Sequence, residues 1–382
     1  MTDLATRVSG RDPETGQPRT IVIQDGRISD IIHGGRDDGL WLSLGLFDLQ
    51  LNGFAGYDLN ARPDPQAVRD LATAVHESGV SRFAPTLITA SHAAIIDALR
   101  AIRQARDGDP LVRHAMPFVH IEGPHIAPED GARGAHPAEH VRPPSLDEID
   151  AWQAASGNLI GLVTLSPHWP ETEAYVRGLH ARGVRVALGH TSATADQISA
   201  AVAAGAMLST HLGNGIAATL PRHPNPIWTQ LAEDRLWASF IADGHHLPPE
   251  TFKAMLRAKG LERSILVSDA AALAGCAPGI YDAPIGGKVE LKANGRLEVV
   301  GTSFLAGAAV SLTFGIATAR RMAGLTLAEA LRLATINPRM PFNFPTLAVG
   351  APADLLRFRL GEDGSLVPDT VYVAGRPYLL NP

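Results

Sequence analysis

The sequence predicts a closed (β/α)₈ TIM-type barrel with a small β-sandwich domain formed by the N- and C-terminal segments. Two observations carry that expectation. Between residues 43 and 268, eight short and nearly unbroken apolar runs alternate with segments of helical character. On either side of this stretch the regularity gives way to hairpin-like β patterns. Strand–helix alternation implies a parallel sheet with right-handed crossovers, and parallel strands buried on both faces read as continuous apolar runs. Eight such units over about 220 residues match a closed barrel. A doubly wound open sheet is the alternative left by the pattern alone.

In chain order, residues 20–32 (TIVIQDGRISDII) read as two strands around Asp25-Gly26, a hairpin signal. The barrel runs are 43–50, 80–87, 115–122, 159–165, 184–189, 206–210, 236–242 and 263–268. Between them, Val68, Leu71 and Val75 recur at helical spacing before Gly79, and Ser91 precedes Ile95, Leu99 and Ile102. Ser145 and Glu148 form a capping-box pattern. Thr194 caps a helix that stops at Gly205, and Pro249 starts one that ends at Gly260. Residues 280–300 look like a hairpin turned at Asn294-Gly295, helices follow near 307–322 and 326–335, and the tail 348–382 returns to β. The expected domains are therefore 1–42 plus 346–382 as the small β unit and 43–345 as the barrel.

Composition narrows the function. The chain has 382 residues, of which 45% are hydrophobic and 19% charged, enough apolar material for a large core. A formal net charge of −6 argues against a broadly basic nucleic-acid binder. Cys276 is the single cysteine, which excludes an internal disulfide framework and a Cys-rich zinc site. The start lacks a signal-peptide core, and no apolar stretch approaches a membrane span of about 20 residues. The expectation is a soluble, cytoplasmic protein with neither a nucleic-acid nor a membrane partner. Fifteen histidines stand out.

Reactive residues of such barrels sit at the C-terminal ends of the strands. Here strand 1 ends in DLQLNG (48–53), strand 3 in HIEGP (120–124), strand 5 in GHT (189–191), strand 6 in THLGN (210–214) and strand 8 in SDA (268–270). Glu122, His190 and His211 thus supply one hard oxygen and two imidazole nitrogens, a set that suits zinc and also iron, manganese or cobalt. Three protein ligands leave a position open for water, whose pKa the metal lowers toward about 7. Asp269 lies opposite as general base, then as acid for the leaving group. His136, in the Gly-rich loop 131–137, is either a group that polarises a substrate carbonyl or an ordinary loop residue. His245 and His246 follow strand 7, and their adjacency turns one of them away from the mouth. His120, His125 and His168 read as core or supporting residues. His33, His76, His92, His114, His140 and His180 read as outer-surface or helix positions.

Taken together, DLQLNG, IEGP (121–124), GAH (134–136), VTLSP (163–167), GHTSAT (189–194), STHLGN (209–214), ADGHH (242–246), VSDA (267–270), LAG (305–307) and ATINP (334–338) resemble the amidohydrolase superfamily. Within it they are most similar to the N-acetylglucosamine-6-phosphate deacetylase family. The resemblance runs from about residue 43 to the end. It implies metal-dependent hydrolysis of an N-acetyl amide on a phosphorylated amino sugar. Glu122, His190 and His211 would then hold one divalent metal, with Asp269 as base and acid and His136 assisting at the carbonyl. Gln50 and Asn52 stand where many superfamily members carry a His-x-His pair for a second metal, which implies one tight metal. Asn214, Gly215 and His246 map to substrate contacts. Arg222 maps to an arginine reaching from a neighbouring subunit, which implies a homodimer.

Three departures surround the substrate rather than the metal. The family's usual His-Leu-Phe-Asn-Ala reads His211-Leu212-Gly213-Asn214-Gly215 here, the loop from Glu122 to His136 is two residues longer than is common, and Ser166–Glu171 carries an insertion. They leave open an alternative, a related enzyme acting on another N-acyl amino sugar. Other superfamily reactions, such as deaminase, dihydroorotase-like or dipeptidase activity, often use a carboxylated lysine, and no strand end here offers a lysine. A non-catalytic sugar-binding barrel would have no use for the two imidazoles and Asp269.

Overall fold

In a computed structural model of the chain, the described residues are 5–61, 63–283, 287–302 and 304–379; the parts of the expected end segments and late hairpin at 1–4, 284–286 and 380–382 lie outside them. The eight apolar runs form β1 (Leu46–Leu51), β2 (Val80–Ile88), β3 (Val119–Glu122), β4 (Ile160–Leu165), β5 (Arg185–Leu188), β6 (Leu208–Ser209), β7 (Trp237–Ile241) and β8 (Ser264–Val267). They pair in parallel and in chain order. The seam between β8 and β1 closes just beyond the strands. There Asp269 N–H donates to the Gln50 carbonyl at 3.0 Å, Asn52 N–H donates to the Ala270 carbonyl at 2.9 Å, and Leu51 bridges Ala270 in parallel. An open doubly wound sheet, whose strands would be ordered out of sequence, is excluded.

One expected strand began too early. Residue 115 ends a short helix, Pro110–Ala115, started by Asp109, whose side chain accepts from the backbone N–H groups of Leu111 and Val112. Asp followed by Pro is an N-cap and first-turn pair, so the strand waits until Val119. The helix signals elsewhere act as their chemistry requires. Ser91 accepts from Ala94 N–H, and Thr194 and Gln197 form a reciprocal capping box. At Ser145 only half of the box forms: its hydroxyl accepts from Glu148 N–H, while the Glu148 carboxylate binds Arg142 and His92 instead.

The barrel interior holds Phe47, Leu49, Phe118, Leu162 and Ile265, with Phe342 and Phe344 packed against them. The Phe118 ring stacks on Phe342 at 4.4 Å. These rings fill the lower barrel and leave the C-terminal mouth as the polar end. The outer layer, where Val68, Leu71, Val75, Leu99 and Ile102 pack, is a separate and larger cluster.

The two ends of the chain join in one seven-stranded sheet. Pro18–Gln24 and Arg27–His33 make the hairpin expected at Asp25-Gly26. Leu355–Leu360, Leu366–Val373 and Arg376–Leu379 extend the sheet through Trp41–Leu44. The two halves meet at a single pair, Arg11 with Trp41, and share an apolar cluster that includes Val8, Ile21, Leu42 and Leu355. After β8, Gly279–Ala283, Gly287–Leu291 and Leu297–Val299 form a separate three-stranded sheet beside the mouth. Helices Leu312–Ala323 and Leu327–Ala334 follow. Among the described residues, no helix is long and apolar enough to cross a membrane.

Candidate active site

Alternation sends Phe47 and Leu49 into the barrel, but the pairing of β1 with β2 shifts register between Asp48 and Leu51, and past that shift Gln50 and Asn52 turn into the mouth. At the mouth they meet residues from the ends of β3, β5, β6 and β8. Glu122 Oε1 is the hub. It accepts from Gln50 Nε2 at 2.9 Å and lies 2.9 Å from His211 Nε2 and 3.3 Å from His190 Nε2. Asp269 Oδ1 accepts from the same Gln50 amide at 3.0 Å and from Asn52 Nδ2 at 2.8 Å. The His136 ring is tilted 56° to the His190 ring with centroids 4.3 Å apart, and its Nδ1 is 2.8 Å from the Thr89 hydroxyl. All of these carry little exposed surface.

The backbone is strained where the chemistry lies. His190, His211 and Asp269 have φ of 49°, 29° and 50°, three of the eight non-glycine residues with positive φ among those described. L-residues avoid this region, at a cost of order 1–3 kcal/mol each. The turns after β5, β6 and β8 therefore aim these side chains inward rather than continuing the strand. Gly215, at φ +58°, fits under the His190 ring, where a Cβ would come within 2.7 Å of Nδ1.

The donor set fits a divalent cation. The Ala132 carbonyl, 2.9 Å from His190 Nδ1, can only accept, so the proton sits on Nδ1. His190 Nε2 then turns a lone pair toward a carboxylate oxygen, which is repulsive unless a positive charge lies between them. His211 Nδ1 is buried without a partner. Burial pushes Glu122 toward its neutral form, but when His190 and His211 carry the extra proton in place of an ion, their hydrogen bonds and charges hold it well below the usual carboxylate range. His211 is raised: burial lowers it, and the Glu122 carboxylate more than offsets that. Ligand atoms of Glu122, His136 and His190 lie within 4.8 Å of one another, a grouping that takes in His136 and leaves out His211, whose Nε2 is 2.9 Å from Glu122. Burial, then the His190 charge, pulls His136 down to about 3 and keeps it neutral. Asp269 is lifted to about 6 by burial first and by Glu122 second.

Gln50 and Asn52 act here as donors. Their N–H groups tie Asp269 in place, and Gln50 also ties Glu122. An N–H group cannot ligate a metal. A cavity of about 240 Å³ opens above Glu122, His136, His190, His211 and Asp269 and is also lined by Asn214, Gly215 and His246. His246 faces this cavity, while His245 turns away to the Asn294 carbonyl at 3.0 Å. Arg222 does not line the cavity and is exposed. His120 lies below, between the Leu49 carbonyl and the Thr164 hydroxyl, as a core residue. His125 is buried, and His168 bonds Ser166. Strand-end reading passed over Thr89, just past β2, and Asp243, just past β7. Both are polar residues one or two positions beyond an apolar run, the signal used for the other strands.

The amidohydrolase family model matches residues 42–377. The chain belongs to the amidohydrolase family. Among its relatives is N-acetylgalactosamine-6-phosphate deacetylase of Escherichia coli O157:H7, 32% identical, with 76% of this chain and 75% of that protein covered. N-acetylglucosamine-6-phosphate deacetylase of Homo sapiens is 30% identical, with 94% and 88% covered. Of the solved structures, a variant of N-acetyl-D-glucosamine-6-phosphate deacetylase from Mycobacterium smegmatis, in complex with N-acetyl-D-glucosamine-6-phosphate, superposes with a TM-score of 0.87 at 26% identity, with 97% of this chain and 99% of that one covered. As an amidohydrolase, this chain is a hydrolase acting on an amide.

Proposed function

We propose that this amidohydrolase removes the acetyl group from N-acetylglucosamine 6-phosphate, releasing glucosamine 6-phosphate and acetate. The observation that carries the reading is the convergence of Glu122, His190, His211 and His136 with one buried aspartate, Asp269, on one cavity. Relatives acting on N-acetylated amino-sugar phosphates support the substrate class.

Glu122, His190 and His211 would hold one divalent cation, with zinc the best match and iron, manganese or cobalt compatible with the same donors. When bound, such an ion polarises the amide carbonyl and acidifies water. Asp269, held by the Gln50 and Asn52 amides, takes the proton of the attacking water and then delivers it to the departing amine nitrogen. His136, kept neutral by burial, receives the Thr89 O–H at Nδ1 and turns Nε2–H toward the developing oxyanion. Asn214, Gly215 and His246 bind the sugar. Arg222, exposed and away from its own chain's cavity, serves a second copy in a homodimer. The enzyme works in the cytoplasm on a small molecule, with no nucleic-acid or membrane partner.

The N-acetylgalactosamine-6-phosphate deacetylase relative, at 32% identity, favours a second reading in which another N-acyl amino sugar is the substrate. Acetate release from N-acetylglucosamine 6-phosphate, its galactosamine counterpart and both unphosphorylated sugars, with defined metals added, separates the two. Highest kcat/KM on the first supports the proposal. A strong preference for any other sugar removes the substrate and leaves the mechanism standing.

A further inference from the structure

Just past β7 the chain reads Ala242-Asp243-Gly244-His245-His246, and the Asp243 carboxylate is organised around its neighbours. Oδ1 accepts from the backbone N–H groups of His245 and His246 at 2.8 and 2.9 Å. Oδ2 lies 2.7 Å from His246 Nδ1. The side chains of His246 and Asp243 are only 7% and 3% exposed. The carboxylate is thus pinned through one oxygen by the backbone and presents the other to the ring. A carboxylate oxygen accepts, so the ring proton sits on Nδ1. His246 lines the cavity together with Asp269, and with Nδ1 engaged by Asp243, Nε2 is the ring nitrogen left for a ligand.

The rest of the cavity makes this ring distinctive. No lysine or arginine is among the described residues lining it. Apart from the imidazoles grouped around Glu122, His246 is the only side chain among the described lining residues that can carry a proton on nitrogen and take or lend it to a ligand.

We propose that Asp243 is a positioning residue for substrate binding: it locks His246 in one tautomer and one orientation, with Nε2 presented to a hydroxyl or phosphoryl oxygen of the sugar. The inference rests on the proposed amino-sugar reading for its ligand and on the geometry alone for the dyad. Burial favours a neutral Asp243, but the hydrogen bond and charge of His246 and the two backbone N–H groups hold it at about 2, so it stays an acceptor throughout the working pH range. A hydrogen-bonded acceptor behind an imidazole sets which ring nitrogen faces the substrate.

Asp243→Asn is the discriminating variant, because its Oδ1 still accepts both backbone N–H groups while its Nδ2–H now faces His246 Nδ1. The ring must then protonate Nε2 or turn away. With ¹⁵N-histidine-labelled, metal-loaded protein, the His246 signals, assigned with His246→Gln, are expected to move from the Nδ1–H to the Nε2–H pattern. Metal content is expected to stay at the wild-type level. On N-acetylglucosamine 6-phosphate, kcat/KM should fall about 10–100-fold, the usual cost of losing an orienting partner, mainly through KM. Asp243→Asn should add nothing further in a His246→Gln background. Unchanged His246 signals in Asp243→Asn would overturn the proposal, and so would an equal further loss of kcat/KM in the His246→Gln background. Because the tautomer is read without turnover, an inactive wild type on this sugar would refute the substrate reading and leave the dyad tested separately.

Discussion

Replacing Asp269 by Asn should lower turnover and, at neutral pH, stabilise the metal-free fold. The substitution keeps the shape. Asn Oδ1 can still accept from Gln50 Nε2 and Asn52 Nδ2, now at 3.0 and 2.8 Å from Asp269, and Asn tolerates a φ of 50° better than most residues. The proton acceptor is lost, so kcat should fall about 10²–10⁴-fold, the range for general acid–base groups. Stability moves the other way. Burial, then the Glu122 charge, raises the Asp269 carboxyl from 3.8 to about 6. At about 1.4 kcal/mol per pH unit, ionising it in the fold is disfavoured by on the order of 3 kcal/mol. Since the folded value is the raised one, the penalty is absent below about pH 4, grows as pH rises to about 6 and is complete above that. Chelator-treated Asp269→Asn should therefore resist denaturant better than chelator-treated wild type at pH 7, and the gap should close toward pH 4. Acetate release and denaturant midpoints across pH measure the two effects. Near-wild-type kcat, or a stability gap that does not change with pH, would refute the reasoning.

His190→Asn and His211→Asn should each lose the metal, whereas His136→Asn should keep it and lose kcat; plasma emission analysis reads the stoichiometry. Metal lost from His136→Asn would make His136 a ligand, as its distance to Glu122 and His190 allows. Gly215→Ala puts a Cβ 2.7 Å from His190 Nδ1 at a φ of +58°. Displacing that ring should weaken metal affinity about 10–100-fold, measured by competition with a chelating dye. Below the barrel, Asp354 is nearly fully buried, accepts from His114 at 2.7 Å and faces Arg82. Asp354→Ala strands a buried cation and should destabilise the fold by about 3–5 kcal/mol in denaturant titrations. Burial raises Asp354, but His114 and Arg82 hold it below the ordinary carboxylate value. Its contribution is thus present above the unfolded carboxyl pKa and fades as pH falls through the lower folded one.

Much of this architecture was legible because a strand buried on both faces leaves an unbroken apolar run, and because a barrel must place its chemistry where those runs stop. Glu122, His190, His211 and Asp269 were readable as strand-end residues, and the structure gathers them at one mouth. What local pattern could not supply was direction. Nothing in Gln50 announces that one amide bridges two carboxylates, and its reading as a vacated metal position missed that role. The φ values of His190, His211 and Asp269 depend on turns packed by distant segments. The Ala132 carbonyl that orients His190 comes from a loop 58 residues earlier. The start of β3 was misplaced because Ala115 and Met116 are apolar in either state, and only the Asp109-Pro110 cap decides for helix.

The most direct measurement is anomalous X-ray diffraction from crystals of the metal-loaded protein at the absorption edge of the bound ion. One peak per chain is expected, about 2.0–2.2 Å from a Glu122 oxygen and from one nitrogen each of His190 and His211, on the side facing Asp269. A peak elsewhere, or an ion bound with those three side chains turned apart, would contradict the account.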